Sequence, residues 1–296
     1  MPASDLFSQA LRKTWWQRAI QVAPVRIFIG FIFILPGTFA ELLAMKAAPI
    51  GASIAASTAV IVLFLALLAA FAHVVERRPP RELALKGAFT EWIVGVAGGT
   101  ALLAVTVALL AMFGLYRVET GGSAMALVTG FVQFAPHALL EEILLRALVF
   151  KITEEAIGSR AALGIQAALF GALHLGNPGA TLIAATAIML EAGLLLAIAY
   201  MVTRRIWLAW GLHLGWNYAQ GSVFGIRVSG TPVTSSLLIS SPTGSTTISG
   251  GDFGVEASPV AVAVCVVASV FLWRIAVRRG EIVEYRAQRE RVRSLR

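Results

Sequence analysis

The feature that most constrains this chain is a series of apolar runs, most of them long enough to cross the hydrocarbon core of a bilayer. A membrane-spanning helix needs about 20 mainly apolar residues. The 296-residue sequence contains about eight such runs, of which the fifth and seventh are short, at residues 26–46, 51–75, 90–115, 124–150, 160–176, 180–202, 206–220 and 257–277. The sequence therefore predicts an all-α fold, a polytopic transmembrane helix bundle with about eight spans.

The composition also indicates a membrane protein. Hydrophobic residues make up 58% of the chain and charged residues 14%, and the mean hydropathy is +0.80. A soluble domain carries about 25% charged residues. The net charge of +8 does not indicate a nucleic-acid partner, because the basic residues lie between the apolar runs and at the C-terminus. We expect membrane lipid as a partner and no nucleic acid.

The positions of the basic residues predict the orientation of the bundle. They follow the second, fourth, sixth and eighth runs, whereas the intervening loops are poor in Lys and Arg. By the positive-inside rule, this pattern places both termini in the cytoplasm. The residues concerned are Arg77, Arg78, Arg81, Lys86, Lys151, Arg160, Arg204, Arg205, Arg278 and Arg279.

The remaining segments complete the predicted domain organisation. Residues 1–25 form an amphipathic N-terminal segment, with no cleavable signal peptide evident, and residues 278–296 form a basic cytoplasmic tail. Between them lies the transmembrane domain, residues 26–277, with a predicted catalytic core at 124–220 and an outer polar loop at 221–256. Long loops are functional covers or disordered segments, and both alternatives remain open for this one.

Two adjacent glutamates and an arginine lie inside the fourth apolar run. Charged groups at membrane depth are costly unless they are paired or face a wet cavity. Glu142 and Arg146 are four residues apart and can pair on one helix face. Glu141 points about 100° away from Glu142. The sequence therefore predicts a structural pair, Glu142 with Arg146, and leaves Glu141 as a functional candidate.

Polar residues on two later helices are predicted at a similar depth. At about 1.5 Å of rise per residue, Glu141 lies about 15 Å and His174 about 21 Å from the basic residue at the cytoplasmic end of its helix. His213 and Asn217 lie about 12 and 18 Å from theirs. A carboxylate, two imidazoles and a carboxamide converging in an apolar layer are typical of a hydrolytic site.

The same residues also have a structural interpretation. His174 and His213 are of a type that makes hydrogen bonds between helices in membrane bundles. His137 shares the helix face of Glu141 one turn away, and a structural role is favoured for it. Glu191 is expected to pack in the bundle or line a cavity.

Three motifs lie in order on successive apolar helices: Glu141-Glu142-x-x-x-Arg146, Phe170-x-x-x-His174 and His213-x-x-x-Asn217. In these motifs the chain resembles the CAAX protease and bacteriocin-processing family, also called the Abi family of glutamic intramembrane proteases, which includes the type II CAAX prenyl endopeptidase. The resemblance covers about residues 124–220 and implies an eight-helix plan with a cavity open to the cytosol and lipid.

The resemblance implies a role for each motif residue. Glu141 would be the general base that takes a proton from water, helped by His174. His213 and Asn217 would donate hydrogen bonds to the oxyanion of the tetrahedral intermediate. The predicted supporting residues are Glu142, Arg146 and Phe170.

The same residue types would also suit a divalent metal, since two imidazoles and a carboxylate are a plausible ligand set. The paired histidines of zinc hydrolases with a helical Glu are absent from the sequence. The single cysteine, Cys265, excludes a Cys-type metal site within the chain. We therefore expect no metal and no cofactor.

Three classes of function compete. The first is an intramembrane endopeptidase acting on a membrane-bound or lipid-attached peptide. The second is a non-catalytic immunity or scaffold protein of the same fold. The third is a transporter, which is less favoured because no inverted repeat is found. The Ala-rich and Arg-over-Lys usage predicts a bacterial plasma membrane, where a prenylated substrate is not expected.

Overall fold

The computed structural model describes residues 22–46 and 49–285, and 74% of these described residues are helical. The first half contains α1 (Ala23–Ala44), α2 (Ile50–Val74), α3 (Ala88–Met112), β1 (Tyr116–Thr120) and α4 (Met125–Glu142), which continues through a π-helical segment (Ile143–Phe150) into α5 (Lys151–Ile157). The second half contains α6 (Ser159–Leu173), α7 (Leu182–Ile188), a π-helical segment (Met189–Gly193), α8 (Leu194–Thr203), α9 (Ile206–Tyr218), a third π-helical segment (Ala219–Val223), β2 (Leu238–Pro242), α10 (Thr246–Ser249) and α11 (Pro259–Arg278). Short 3₁₀ turns lie at Arg81–Leu83, His174–Gly176 and Val255–Ala257.

Each of the eight predicted apolar runs lies in helix, with ends that differ by a few residues. Within the described ranges, five helices are long and apolar enough to cross a membrane: Ala23–Ala44, Ile50–Val74, Ala88–Met112, Leu182–Thr203 and Pro259–Arg278. The other three predicted spans are the helices that carry most of the candidate site. They are shorter, or more polar and interrupted by π-helix, so the count of eight spans remains a prediction. Most of the predicted N-terminal segment and the end of the tail, residues 1–21 and 286–296, lie outside the described residues.

The site-bearing helices lie inside the bundle, and several of the apolar ones lie outside. Every residue of α9 from Ile206 to Asn217 is buried. In contrast, α1 exposes large apolar side chains such as Phe28, Leu35 and Phe39. An exposed apolar face of this size suits hydrocarbon rather than water. The chain is thus a multi-pass membrane protein in which outer helices surround polar inner ones.

Glycines allow α3 and α9 to pack with their backbones in contact. A Cβ atom at Gly99 would lie 2.1 Å from the carbonyl oxygen of Leu212, and one at Gly215 would lie 2.2 Å from that of Val96. Gly95 and Gly211 add the same close approach one turn away. Small residues four apart are the usual device for close helix packing in membranes. This contact fixes the face of α9 that points away from α3, on which His213 lies.

Pro136 marks the turn of α4 that precedes the glutamates. A proline inside a helix cannot donate to the carbonyl oxygen four residues earlier. That oxygen belongs to Val132 and accepts a hydrogen bond from Ser57 Oγ of α2 at 2.7 Å. One turn of α4 is thereby fastened to α2, next to the residues that form the site.

A short two-stranded antiparallel sheet, which was not predicted, accompanies the helices. Strand β1 pairs with β2 from Tyr116 opposite Pro242 to Thr120 opposite Leu238. The aromatic and β-branched residues of β1 favour strand, but the five-residue stretch is too short to stand out beside the apolar runs. The sheet attaches the middle of the outer polar loop to the end of α3.

The glycine contact between α3 and α9 generates a stability prediction. Gly99→Ala places a methyl group against a backbone carbonyl that cannot move independently, so we expect a loss of about 1–3 kcal/mol in the free energy of unfolding. Gly164→Ala is the matched control, because this helical glycine has nothing within 4 Å of an added Cβ. Thermal unfolding in detergent measures both variants. Equal stability of the two would contradict the packing described.

Candidate active site

A cavity of ≈ 560 Å³ brings together the four residues that were predicted to be catalytic. They come from α4, from the end of α6 and from α9, whose motifs are separated by tens of residues in sequence. The outer polar loop contributes part of the wall through Ser222 and residues 228–235. The four residues are Glu141, His174, His213 and Asn217.

Glu141 lies between two imidazole rings. Its Oε1 atom is 3.3 Å from Nε2 of His137, and its Oε2 atom is 3.6 Å from Nε2 of His213. The side chain of Glu141 is 23% exposed, through the cavity. The carboxylate is therefore held on two sides while it stays accessible to a water molecule or a substrate.

Glu142 forms the predicted pair with Arg146, and it has a second partner that the sequence did not indicate. Arg146 Nη1 lies 3.0 Å from Glu142 Oε1, and both side chains are fully buried. The same Oε1 atom lies 2.8 Å from Nδ1 of His213. Because a carboxylate accepts, Nδ1 of His213 carries the hydrogen, and Nε2 is directed toward Glu141.

Arg146 is held by three different groups in the interior. Besides Glu142, its guanidinium donates to the carbonyl oxygen of Ala192 at 3.0 Å. It also lies over the ring of Phe170, 4.6 Å from the centroid. A cation over an aromatic face is attracted by the ring quadrupole. Phe170 is therefore more than an apolar wall residue, because it supports the arginine that balances Glu142.

His174 lies immediately after the last residue of α6. Its Nδ1 atom is 2.8 Å from the carbonyl oxygen of Phe170, and its ring packs on the Phe170 ring at 4.7 Å between centroids. A carbonyl oxygen can only accept, so Nδ1 carries the hydrogen. In the neutral ring Nε2 is left with a lone pair, which suits it to accept a proton.

Asn217 lies one turn beyond His213 on α9 and lines the same cavity. Its side chain is directed to the cavity and forms no hydrogen bond with any described residue, although only 8% of the residue is exposed. A buried carboxamide usually has a partner. The arrangement leaves the amide N–H groups of Asn217 available to a bound ligand.

Sequence reasoning missed one residue of this cavity and undervalued another. Glu41 of α1 is 5% exposed and lines the cavity, and its Oε1 atom lies 3.2 Å from Nδ1 of His137. A single carboxylate within the first apolar run was the available signal for Glu41. His137 lacked a visible partner in sequence, because Glu41 lies 96 residues away.

The comparison with family models agrees with this geometry. Residues 123–219, about a third of the chain, match the family described as "Type II CAAX prenyl endopeptidase Rce1-like". Glu141, His174, His213 and Asn217 all lie within this matched stretch, and we call the cavity that they line the Rce1-like site. The resemblance predicted from the three motifs is thus confirmed, and the family is one of proteases. The comparison with curated proteins gave no match, and neither did the comparison with solved structures.

A smaller cavity of ≈ 30 Å³ lies behind the Rce1-like site. His174, His213 and Asn217 separate it from the larger cavity, since they line both. Two further buried carboxylates, Glu191 and Glu256, line the inner one. A volume of this size is sufficient for one or two water molecules. Glu191 is therefore a cavity-lining residue, which is one of the two roles expected for it.

The outer loop is fastened over the Rce1-like site by Glu256. Its carboxylate accepts hydrogen bonds from the backbone N–H and the hydroxyl of Ser229. Asn177, just beyond α6, donates to the carbonyl oxygen of Ser229 at 3.0 Å. Ser229 has a φ of 47°, in the left-handed region that non-glycine residues rarely adopt. These contacts hold a strained turn against the cavity.

The described residues contain no group of three or more His, Cys, Asp or Glu side chains arranged to hold a metal ion. In the Rce1-like site, Nδ1 of His213 is occupied by Glu142 and Nδ1 of His174 by a backbone carbonyl. Hydrogen bonds to protein groups thus account for one nitrogen of each predicted imidazole.

The environment of Glu256 predicts a pH dependence of stability. Burial raises the pKa of Glu256 to about 7, although hydrogen bonds from Ser229 and Gln220 act in the opposite direction. The folded protein then binds a proton more tightly than the unfolded chain does. This contribution to stability is fully present below about pH 4.5 and is lost as the pH rises through about 7.

We expect Glu256→Gln to flatten this dependence, because glutamine resembles the protonated acid and can still accept from Ser229. Thermal unfolding of both proteins between pH 5 and pH 8 measures the difference. The same pH dependence in wild type and variant would show that Glu256 does not titrate in this range.

Proposed function

We propose that the protein is an intramembrane endopeptidase that hydrolyses a peptide bond of a membrane-bound or lipid-attached peptide with a water molecule activated by Glu141. The observation that carries the proposal is the position of Glu141, whose carboxylate lies between two imidazoles at the wall of a ≈ 560 Å³ cavity. The Rce1-like match supports a protease. The glutamic mechanism is inferred from the residues alone.

In the proposed first step, the Glu141 carboxylate takes a proton from water while the water oxygen bonds to the substrate carbonyl carbon. The carbonyl π electrons move to its oxygen, which becomes an oxyanion. His174 assists by accepting a hydrogen bond from the same water through Nε2. General-base catalysis of this kind contributes about 10²–10⁴-fold.

The oxyanion is the group that His213 and Asn217 would stabilise. Asn217 has amide hydrogens without a protein partner in the described structure, and it lines the cavity beside His213. His213 already donates through Nδ1 to Glu142, so it donates through Nε2 only as an imidazolium. The charge of Arg146 balances that of Glu142.

Collapse of the intermediate breaks the C–N bond. In the simplest scheme the protonated Glu141 gives its proton to the leaving nitrogen, which yields an amine and a carboxylic acid. No covalent bond to the protein forms at any stage. In this proposal Glu141 is the base, His174 assists it, and His213 and Asn217 donate to the oxyanion. The supporting residues are Glu142, Arg146 and Phe170.

The membrane setting defines the class of substrate. We infer eight spans with both termini in the cytoplasm of a bacterial plasma membrane, supported by the charge pattern and by the exposed apolar faces of the outer helices. A substrate must then reach the cavity from the lipid phase or from a membrane surface. Peptides with a lipid anchor satisfy this requirement. A prenylated CAAX-type peptide is not the expected natural substrate in a bacterial membrane, but it is a suitable first probe because the family description names a prenyl endopeptidase.

The central test replaces Glu141 by glutamine. We expect Glu141→Gln in lipid vesicles to cleave a prenylated quenched-fluorescent peptide at least about 10²-fold more slowly than wild type, because the base is lost while the shape is kept. Gln133→Ala is the matched control. Gln133 lies on the same face of α4 and lines the same cavity, so its loss alters the wall but not the base.

The outcomes separate the competing classes. Cleavage by wild type and by Gln133→Ala, with loss in a folded Glu141→Gln protein, supports the endopeptidase. Equal cleavage by wild type and Glu141→Gln eliminates the proposed base. A wild-type protein that cleaves none of a panel of prenylated, acylated and unmodified membrane peptides contradicts the proposal and favours the scaffold class.

Metal independence is tested separately. We expect the cleavage rate to be unchanged after incubation with 1,10-phenanthroline and dialysis, because the proposed chemistry needs only a carboxylate and hydrogen-bond donors. The non-chelating 1,7-isomer is the control. Loss of activity that returns on addition of zinc would overturn the metal-free mechanism.

A further inference from the structure

His137 lies between two carboxylates that come from different helices. Its Nδ1 atom is 3.2 Å from Oε1 of Glu41 on α1, and its Nε2 atom is 3.3 Å from Oε1 of Glu141 on α4. Both ring nitrogens are therefore engaged by acidic oxygens. The result is a continuous row of carboxylate, imidazole and carboxylate along one wall of the cavity.

His137 is too exposed to serve only as a packing contact between helices. The His137 side chain is 53% exposed, and it opens into the cavity that contains the four predicted catalytic residues. Glu41, in contrast, is buried in an otherwise apolar helix. A carboxylate at that depth is costly, and its only partner in the described structure is His137. The buried Glu41 carboxylate therefore orients an imidazole that faces the cavity.

The hydrogen-bond roles follow from the chemistry of the groups. A carboxylate accepts, so His137, with a carboxylate oxygen at each ring nitrogen, donates from both nitrogens as an imidazolium. Its Nε2–H is directed at the carboxyl oxygen of Glu141. A proton can therefore pass between His137 and Glu141 over a single contact. The neutral ring that remains after His137 gives up this proton keeps its Nδ1–H on Glu41.

We propose that His137 is a proton-relay residue that acts through Glu141, and that Glu41 is the positioning residue that orients it. This inference rests on the proposed function. It assigns a task to two residues that lie outside the three motifs, one of them on the first helix of the chain.

The relay supplies the second proton, which the simplest scheme, ending at an amine and a carboxylic acid, does not deliver. Hydrolysis at neutral pH converts water and an amide into a carboxylate and an ammonium, so two protons are added to the leaving nitrogen. Glu141 takes the first proton as the water oxygen bonds to the carbonyl carbon, and gives it to the leaving nitrogen as the C–N bond breaks. The restored Glu141 carboxylate then passes the Nε2 proton of His137 to the amine, which becomes the ammonium. The new carboxylic acid gives its proton to Glu141, which returns it to His137, so each group ends in its starting state.

Other titratable groups face the same cavity, and they do not replace His137. His213 is committed through Nδ1 to Glu142, and His174 to the carbonyl oxygen of Phe170. His213 also lies farther from Glu141, at 3.6 Å. Of the three imidazoles in the cavity, His137 alone has a carboxylate at Nδ1 that is not shared with an arginine.

The test uses the full-length protein in lipid vesicles with the same prenylated quenched-fluorescent peptide. His137→Gln keeps a polar side chain but cannot carry the relayed proton. Glu41→Gln keeps the size of the positioning group but removes its charge. We expect kcat to fall by about 10²-fold in His137→Gln and less in Glu41→Gln, with KM unchanged in both. We also expect the pH dependence of kcat to differ from that of wild type in both variants.

Val128→Ala is the control, because this side chain of α4 is 43% exposed and lines neither cavity. It should retain the wild-type kcat and pH profile. If Glu141→Gln is inactive but His137→Gln keeps the wild-type kcat and pH profile, the relay is wrong while the proposed function stands. If Glu141→Gln is as active as wild type, the proposed function itself fails.

A spectroscopic measurement tests the contacts independently of turnover. The chain has four histidines, so their ring ¹⁵N resonances can be assigned by substitution. We expect Glu141→Gln to shift the Nε2 resonance of His137 and Glu41→Gln to shift its Nδ1 resonance. Unchanged resonances in both variants would overturn the inference.

Discussion

The buried carboxylate of Glu142 is the interaction on which the rest of the site depends. It has no access to solvent, and a single oxygen serves both Arg146 on its own helix and His213 on α9. A buried charge that loses one partner is strongly destabilising, by about 3–5 kcal/mol. The α4 and α9 helices are therefore held in one relative register. That register directs the neighbouring Glu141 into the cavity and His213 toward it.

The second requirement is a bundle that can keep polar helices away from lipid. Backbone contact through glycines brings α3 against α9, and apolar helices such as α1 and α2 surround the interior. The helices that carry the site need not be uniformly apolar, because their polar side chains face a shared cavity and one another. The same arrangement explains why, among the described residues, five helices are long and apolar enough to cross a membrane. The other three predicted spans carry most of the candidate site residues.

The sequence predicted what depends on local pattern. Helix positions follow from hydropathy, and the pairing of Glu142 with Arg146 follows from their spacing. The convergence of Glu141, His174, His213 and Asn217 was suggested by depth along each helix, and the structure brings these residues together, although their roles remain predictions.

What the sequence could not supply are contacts between distant elements. The contact of Glu142 with His213 spans 71 residues and that of Glu41 with His137 spans 96. Neither leaves a periodic signal, because the register of one helix against another is set by side-chain packing. The short β1–β2 sheet and the Ser229–Glu256 contact were missed for the same reason. Both join segments that are individually too short or too polar to be recognised.

The π-helical segment Ile143–Phe150 begins directly after the two glutamates and ends at Lys151. A π-helical turn holds an additional residue within an otherwise α-helical rod, and such turns are frequent at functional sites. Loss of one residue here can be absorbed by a return to α-helical geometry, with the flanking turns keeping their mutual orientation. The length of chain between the glutamates and the end of the helix is therefore open to change during evolution, even though the direction of each glutamate is not.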